Sequence, residues 1–271
     1  MICRIFDQKN FEPLLTELLH DPKYSDPHLH TKENLYRLAT WLHERNDYFF
    51  GVWEGETMTG LFDFMVLEQD RYLELIVGLS RSASAYQEIL DFVRACWPGF
   101  QADFVFNPCN DLIKEQLAAR GAAFDTVQHR MVLSEPRLEV DSEGIELLSE
   151  SRFPEYAAIH RKDVYWTAER VIAAPDRFRA LLAIENGHVV GYLDVTIKFE
   201  ENEVYCVFVQ EASRLRGWEQ KLLAKAIELN RPKGLIEFAD ADNDWEIQLF
   251  QSAGFVIDPQ GSTQVATWMI P

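Results

Sequence analysis

The chain has 271 residues, of which 47% are apolar and 26% are charged, and its formal net charge is −18 at pH 7. This length suits two modest domains, the composition is too apolar for a disordered chain, and no run approaches the roughly 18 apolar residues that span a bilayer. A field this negative repels nucleic-acid phosphates and anionic lipids, so we expect neither nucleic acid nor a membrane as partner. Two interpretations of the charge stay open: attraction of a cationic substrate such as an amine, or solubility alone.

The first half of the chain alternates between apolar patterns of strand and helix type. In chain order it predicts a strand at 2–6, helices up to about residue 45, a hairpin of strands at 48–53 and 58–67, a strand at 72–79, a helix at 85–96, a strand at 102–106, a helix at 111–119 and a strand at 128–133. The polar, turn-prone segment that follows is the best candidate for a linker.

The second half repeats this order of elements. It predicts a strand at 145–148, a mostly helical stretch at 149–178 broken near Thr167 and by Pro175, hairpin strands at 180–184 and 189–199, a strand at 203–209, a helix at 218–230, a strand at 235–239, a helix at 244–252 and a strand at 264–270. Gly187 supplies the positive φ that the tight hairpin turn requires.

Collinear identities between the halves indicate a duplication. An Asn-Asp pair followed by glycine eleven positions after the asparagine occurs twice, at an offset of 133 residues, and with two residues of slippage GLFDF at 60–64 resembles GYLDV at 191–195. Pairs at the offset of 133 include Tyr72 with Tyr205, Arg81 with Arg214, Asn110 with Asn243 and Gly121 with Gly254. We therefore predict an α/β (α+β) protein of two tandem domains at 1–135 and 145–271, joined by a linker at 136–144, each with a mixed central sheet flanked by helices.

Two spacings in the second half carry chemistry. Arg214-Leu215-Arg216-Gly217-Trp218-Glu219 is followed by Leu222 and Leu223, and Asn243 is followed by Leu249-Phe250 and then Gly254-Phe255. These spacings and the order of elements resemble the GNAT superfamily of N-acetyltransferases. Its signature is Arg/Gln-x-x-Gly-x-Gly/Ala with two aliphatic residues eight and nine positions after the first residue. The resemblance is strongest over residues 189–255 and implies tandem GNAT-like domains.

The loop before the helix at 218–230 suits a diphosphate on physical grounds. A helix start leaves four N–H groups unpaired and carries about half a positive charge. Gly217 lets the backbone approach phosphates, and Arg216 can add a charge-assisted bond. Glu219 stands where the family has Gly or Ala, so either its carboxylate points away from the ligand or the site is weakened. The candidates for binding acyl-CoA are Val207, Phe208, Val209, Leu215, Arg216, Gly217, Trp218, Glu219, Gln220, Asn243 and Phe250.

The resemblance also implies catalytic roles. Glu203 lies eleven residues before Arg214, where the histone acetyltransferase branch has a glutamate that acts as general base, and such a base needs a pKa raised by apolar surroundings. A solvated residue in an acidic turn is the open alternative. Phe250 stands where many members have a tyrosine that protonates the leaving thiolate, and phenylalanine cannot donate a proton. The thiolate then leaves unaided, or Tyr205 or Tyr192 is the donor.

The remaining candidates for binding acyl-CoA each have two interpretations. In the family, the backbone at the end of the fourth strand accepts the acetyl and pantetheine groups, where the sheet splays between strands four and five. This implicates residues 207–209, which fit the inward face of a strand equally well. Asn243 resembles a residue near the pantetheine arm and is equally explained as a helix N-cap.

The first half has no matching glycines. Ser84 and Tyr86 stand where the glycines of the signature belong, so this half resembles a degenerate copy that is structural or shapes the substrate groove. The alternative is that the hydroxyls of Ser82 and Ser84 hold a phosphate at the helix start.

Cysteine and histidine usage points to neither disulfides nor a metal site. The cysteines have no C-x-x-C spacing, and the clustered histidines lie in a Pro- and Asp-containing stretch without helical spacing. No basic region followed by an apolar run marks a secretory signal, so we expect a cytoplasmic protein. The residues are Cys3, Cys96, Cys109 and Cys206, and His20, His28, His30 and His43.

The resemblance thus implies an acyl-CoA-dependent N-acyltransferase that uses acetyl-CoA or another acyl-CoA as co-substrate and acylates a small or peptide amine by direct transfer. The alternative is a catalytically inactive GNAT-like protein that serves as a binding or scaffold module, since fold resemblance alone does not establish activity.

Overall fold

A single cut of the chain does not separate its two compact units. The computed structural model describes residues 1–5, 7–29, 38, 48–137 and 141–271. The first unit comprises Met1–His129, Asp240–Asp242 and Asp258–Pro271, and the second comprises Arg130–Ala239 and Asn243–Ile257. The domain limits predicted from the sequence stay a prediction, while residues 258–271 belong to the compact unit of the first half.

The first unit is a mixed sheet with helices packed against it. Among the described pairs, only β4 and β5 are parallel neighbours, and the strand order is β1-β2-β3-β4-β5-β13, with β6 also paired to β13. The elements are β1 (Ile2–Arg4), α1 (Glu12–Leu18), β2 (Tyr48–Glu54), β3 (Thr57–Leu67), β4 (Tyr72–Ser80), α2 (Ala83–Cys96), β5 (Gln101–Phe106), α3 (Asp111–Ala118), β6 (Ala123–Phe124) and the later part of β13 (Phe255–Met269).

The second unit has the same plan. Its strands lie in the order β7-β12-β11-β10-β9-β8, and β11 and β12 are parallel. Apolar side chains fill both faces of this sheet, one against α4 and α5 and the other against α6 and α7. The elements are β7 (Gln128–Leu133), β8 (Ile145–Leu147), α4 (Phe153–Ile159), α5 (Ala168–Ile172), β9 (Phe178–Glu185), β10 (His188–Thr196), β11 (Glu201–Val209), α6 (Trp218–Asn230), β12 (Gly234–Asp240) and α7 (Asp244–Ser252).

The pairing registers of the two sheets show which residues of the two units correspond. Tyr72 opens the parallel pairing of the first sheet and Glu201 opens that of the second, an offset of 129, whereas their partners Gln101 and Gly234 are 133 apart. The offset of 133 that links Tyr72 to Tyr205 in sequence therefore does not hold along these strands. The offset changes between these strands because two residues connect β4 to α2, while eight residues connect β11 to α6.

Most predicted elements are present with small shifts at their ends. The stretch at 149–178 contains only the short helices α4 and α5, and β13 begins at Phe255 instead of residue 264. Of the helices predicted up to about residue 45, α1 at Glu12–Leu18 is present, and the part of the prediction that falls on residues 30–45 lies outside the described residues except for Leu38. All four cysteines are free, and none of the described helices is long and apolar enough to cross a bilayer.

Gly254 provides a test of the packing in the second unit. It has φ 100°, its carbonyl accepts the N–H groups of Ser134 and Glu135, and a Cβ at this position would collide with the Glu135 carbonyl. We expect Gly254→Ala to lower the free energy of unfolding by about 3 kcal/mol, because strain and overpacking add. Gly187→Ala is the control, since Gly187 has φ 82° but no atom within 4 Å of its added Cβ. Gly187→Ala should lower the free energy of unfolding, measured by urea denaturation, by about 1 kcal/mol. Equal losses of stability in the two variants would contradict the close packing of Gly254 against Glu135.

Candidate active site

The second sheet opens between its two parallel strands. β11 and β12 pair at three positions, the last of which joins Glu203 to Ile236. Beyond that point β11 remains paired with β10 on its other edge. A strand has hydrogen-bonding groups on both edges, so residues 204–209 present an unpaired edge to the opening.

A β-bulge in β11 turns polar side chains toward one face of the sheet. Asp194 pairs with Cys206 and Val195 pairs with Val204, so Tyr205 is the inserted residue. Tyr205 and Cys206 consequently pack on the same face, with α4 and α5. The predicted strand residues then alternate, with Phe208 on the face of α4 and α5 and with Val207 and Val209 on the face of α6 and α7.

The loop that follows β11 leaves a row of backbone amides unpaired. Leu215 and Gly217 have φ of 63° and 81°, and α6 begins without a side-chain cap. Among the residues that the structure describes, no acceptor faces the amide N–H groups of residues 215–220, and the first bond of the helix runs from the Lys221 N–H to the Gly217 carbonyl at 3.0 Å. Such a concave series of amides at a helix start binds anions.

The space around these amides is open. Leu215 is 98% exposed, and a Cβ added to Gly217 would find no nearer atom than the Gln220 Oε1 at 3.9 Å. The half-buried Trp218 ring lies beside Gly144 and supports the first turn of α6 from behind. The structure therefore leaves open space beside the backbone of this loop.

Two acidic side chains compete with an anion here. Glu219, in the first turn of α6, is only 6% exposed. Glu185 at the end of β9 accepts hydrogen bonds from the Arg216 Nη1 at 2.7 Å and the Ser213 Oγ at 2.9 Å. The bond from Arg216, with that from Ser213 second, lowers the pKa of the Glu185 carboxyl. Arg216, predicted to bind phosphate, is thus already paired within the protein.

The corresponding helix start of the first unit is closed. Ser82 is the N-cap of α2, and its hydroxyl accepts the Ala85 N–H at 3.3 Å. The Ser84 hydroxyl donates to the Glu54 carboxylate at 2.7 Å, and Arg81 pairs with Glu17. The hydroxyls proposed as phosphate ligands are therefore used internally, beside a carboxylate. This observation favours the interpretation that the first unit has lost its anion site.

Glu203 has the environment that a general base requires. It is half-buried on β11, at the last position paired with β12, and burial raises the pKa of its carboxyl, while the Arg177 charge opposes this shift. Because the neighbouring Val204 packs with α6 and α7, Glu203 lies on the opposite face, which is also that of Tyr205.

The other predicted residues have structural partners. The Tyr205 hydroxyl accepts the Trp166 N–H at 3.4 Å. Asn243 is the N-cap of α7, where its side chain accepts the Glu246 N–H at 3.3 Å. Phe250 is fully buried edge-on against Phe255, with ring centroids 5.0 Å apart.

A buried polar network beneath the bulge was not anticipated from the sequence. Asp194 accepts hydrogen bonds from the Tyr156 hydroxyl at 2.8 Å and lies 2.9 Å from the His160 Nε2. The His160 Nδ1 is 2.7 Å from the Arg161 carbonyl, which can only accept, so Nδ1 carries a proton. The network fixes the His160 ring against Tyr192, stacked at 4.6 Å, directly behind the bulge. The only sequence signal was the repeated aspartate of the GLFDF and GYLDV segments.

The pKa values of the His160 imidazole and the Asp194 carboxyl are both raised. Burial lowers the pKa of His160, but its bonds to Asp194 and the Arg161 carbonyl outweigh this effect and raise the pKa overall. Burial also raises the pKa of Asp194, against the bonds from His160 and Tyr156. Both shifts favour a proton held between the imidazole and the carboxyl at neutral pH.

Glu237 is a second buried group that the sequence did not identify. It directly follows the last paired residue of β12 and is 7% exposed, and its Oε2 has no hydrogen-bond partner among the described residues. A glutamate in an apolar strand carries no spacing signal, so only the structure reveals that it borders the opening.

The comparisons with known proteins agree with this geometry. The sequence model of the acetyltransferase (GNAT) family matches residues 143–255. The fold is similar to that of a GCN5-related N-acetyltransferase from Sphaerobacter thermophilus, with 13% identity, a TM-score of 0.67 and coverage of 99% of this chain and 96% of that one. No curated protein matches the chain.

Two further structures are similar over their whole length. A tandem GNAT protein from the clavulanic acid biosynthesis pathway has 11% identity and a TM-score of 0.59, with 100% of this chain and 98% of that chain covered. An acetyltransferase from the GNAT family of Colwellia psychrerythraea has 12% identity and a TM-score of 0.55, with 98% of each chain covered. At these identities the likeness shows the fold, and it confirms the predicted GNAT-like architecture.

The motif at 214–223, the opening between β11 and β12 and the family match all fall within one stretch of sequence. Residues 143–255 form a domain that matches the model of the acetyltransferase (GNAT) family, whose members use acyl-CoA as co-substrate and act on amines.

Proposed function

We propose that the second unit is an acyl-CoA-dependent N-acyltransferase that transfers an acyl group, with acetyl as the first candidate, directly to an amine. The observation that carries this proposal is the row of unpaired amides at residues 215–220, at the end of a loop that leaves the open edge of β11. The anion site directly follows the unpaired strand edge along the chain. This arrangement suits a long substrate with a diphosphate at one end and an amide-containing arm at the other.

The amides and the dipole of α6 would hold the diphosphate. The N–H groups at a helix start cost free energy when left without acceptors, and an anion satisfies several at once. Arg216 would contribute only after it leaves Glu185, which we expect because a phosphate competes well with a carboxylate for guanidinium. Gly217, in the left-handed region, keeps the loop free of a side chain at the point of closest approach.

The open edge of β11 would bind the arm and orient the acyl group. An extended amide-containing chain can pair with an exposed strand edge as an added strand does. Residues 207–209 lie along this edge beyond the parting of the strands. Their alternating side chains would line both sides of the arm, while the main chain makes the hydrogen bonds.

Glu203 would remove the proton from the attacking amine. An ammonium cannot attack a carbonyl, and a carboxylate whose pKa is raised by burial is a better base near neutral pH than an exposed one. The acceptor would be a small or peptide amine, and the net charge of −18 would favour a cationic one. The free cysteines accord with a reducing, cytoplasmic location, which stays a proposal.

The rival is a non-catalytic binding module, and specific observations favour it. Glu219 is buried in the first turn of the helix that would hold the diphosphate, and Glu185 already occupies Arg216. In this case the protein's own carboxylates satisfy the positive end of α6, and the family fold serves only as a scaffold.

Ligand-induced stabilisation separates the two functions. We expect acetyl-CoA at about 100 times its dissociation constant to stabilise the protein by about 2.7 kcal/mol, because a ligand that binds only the folded state shifts the unfolding equilibrium. Differential scanning fluorimetry measures this as a rise in melting temperature. Absence of a shift at millimolar acetyl-CoA would favour the scaffold.

Replacing Glu219 tests whether its carboxylate faces the diphosphate. We expect Glu219→Gln to tighten CoA binding by about fivefold or more, since removing a like charge about 4 Å from a phosphate relieves at least about 1 kcal/mol of repulsion. The matched control is Glu228→Gln, on the same helix but in its last turn and exposed. Isothermal titration calorimetry gives both affinities, and unchanged binding in Glu219→Gln would show that this carboxylate points away.

Glu203 should set the acid side of the pH–rate profile. Its raised pKa means that the ionised base forms only as pH rises through that pKa, so kcat/KM should increase with pH on the acid side of the profile. We expect Glu203→Gln to lower the rate by about 100-fold and to remove this increase. Thiol release from acetyl-CoA with a panel of primary amines provides the assay. Exposed Glu200→Gln is the control, and a rise with pH that survives in Glu203→Gln would exclude Glu203 as the base.

A further inference from the structure

Glu237 occupies the point where the sheet divides. Ile236 is the last residue of β12 that pairs with β11, and Glu237 is the first residue beyond it. Its side chain lies on the face of Leu235 and Ala239, both of which pack in the apolar cluster formed with α6 and α7. The proposed diphosphate site lies at the start of α6, so Glu237 is on the side of the sheet that carries the ligand loop.

The carboxyl of Glu237 interacts electrostatically with groups on β11 and on α7. The charged and titratable groups that interact with it are Glu246 on α7, and Glu203 and Cys206 on β11. Both β11 residues lie at or just past the parting of the strands. A carboxyl that senses β11 from one side and α7 from the other lies between them, beside the edge that would bind the arm of the substrate.

The surroundings of this carboxyl favour its protonated form, and one of its oxygens has no hydrogen-bond partner among the described residues. Burial, followed by repulsion from Glu246 and Glu203, raises its pKa well above the usual value of 4.5. Its Oε2 has no hydrogen-bond partner among the described residues, although the residue is only 7% exposed. A buried, unsatisfied polar group costs stability, and such groups are concentrated where a ligand uses them.

Resting on the acyl transfer proposed above, we propose that Glu237 is the general acid that protonates the sulfur of coenzyme A. Glu203 first takes one proton from the ammonium and passes it to solvent. The neutral amine nitrogen then forms its bond to the acyl carbon and gives a second proton to Glu203. The carbon–sulfur bond breaks, the sulfur takes its electron pair, and the Glu237 carboxyl supplies the proton that makes the free thiol. After the products leave, Glu203 releases its proton to solvent and Glu237 takes one back, so the overall reaction converts an ammonium and a thioester into an amide, a thiol and one released proton.

The other candidate donors are less suited. Phe250 has no proton to give, and the hydroxyls of Tyr205 and Tyr192 lie among α4 and α5 on the far face, where they accept the N–H groups of Trp166 and Arg161. Cys206 lies on that face too, and burial raises its pKa to about 11. Glu203 and Glu237 thus form a pair of carboxyls on opposite faces of one opening, with separate roles as base and acid.

The kinetic test uses the full chain with acetyl-CoA and an accepted amine. We expect Glu237→Gln to lower kcat by about 100-fold while KM for acetyl-CoA changes by less than about twofold, because the amide keeps the shape of the side chain but has no acidic proton. The fall in kcat at high pH that accompanies ionisation of Glu237 should disappear. Glu246→Gln, which removes a neighbouring carboxylate and leaves Glu237 in place, is the control and should keep this fall.

A second test uses ligand binding alone, without turnover, to detect contact between Glu237 and the sulfur of CoA. The affinity ratio of CoA to desulfo-CoA should drop by about threefold or more in Glu237→Leu, which has no donor to the sulfur, and should stay constant in Glu246→Gln. If neither ligand binds the wild-type protein, the proposed function fails. If both bind, and the ratio, kcat and pH profile of the Glu237 variants match the wild type, only the role of Glu237 fails. A rise in KM for the amine at unchanged kcat would instead make Glu237 an amine-binding carboxylate.

Stability provides the check that the variant is folded and that Glu237 is protonated. The unfolded chain ionises this carboxyl near pH 4.5 and the folded chain only at a higher pH, so wild-type stability falls as pH rises above 4.5 toward the raised pKa of the folded state. Glu237→Gln lacks this loss and should melt higher than the wild type at pH 7.5, with the difference shrinking toward pH 4.5. A variant that melts lower at every pH would show that the carboxylate is ionised and paired in the native protein.

Discussion

The parting of β11 from β12 after Glu203 is the constraint on which the rest of the site depends. Two parallel strands that remain paired would satisfy each other's main-chain groups and leave nothing for a ligand. Once they separate, β11 keeps one free edge, the loop beyond it has room to turn through left-handed residues, and side chains at the point of divergence, such as Glu203 and Glu237, become buried without becoming paired. The anion site, the arm-binding edge and the two carboxyls are consequences of one missing stretch of hydrogen bonds.

The helix starts of the two units show how the same architecture is used with and without a free anion site. In the first unit a two-residue connection brings Ser82 to the N-cap, where it satisfies the backbone itself. In the second unit six more residues intervene, no side chain caps α6, and the positive end of the helix is balanced by Glu219 and Glu185 from a distance. Whether a diphosphate displaces these carboxylates depends on the difference between two electrostatic interactions of similar size, which separates an enzyme from a scaffold.

The sequence allowed the order of elements and the loop at 214–219 to be predicted, because strand and helix periodicity and glycine placement are local properties. The candidate base Glu203 came from the family resemblance and stays a proposal. The sequence misplaced the relation between Tyr72 and Tyr205, since an insertion between β11 and α6 is invisible when only identical residues are compared. Glu237 and the Asp194–His160 pair could not be found at all. Each owes its character to burial and to partners distant in sequence. Glu237 leaves no repeated spacing in the sequence, and the aspartate shared by the GLFDF and GYLDV segments does not reveal that His160 is the partner of Asp194.

The assignment of residues 258–271 to the first compact unit has a consequence for how the protein is made. The ribosome completes residues 1–129 long before it reaches β13, so β5 waits with an open edge while the entire second unit emerges. Exposed strand edges invite pairing with other chains. The first half of the nascent chain therefore depends on a segment that is synthesised more than a hundred residues later. We expect chaperone binding to help this protein fold, because it would protect the incomplete sheet until the last strand is made.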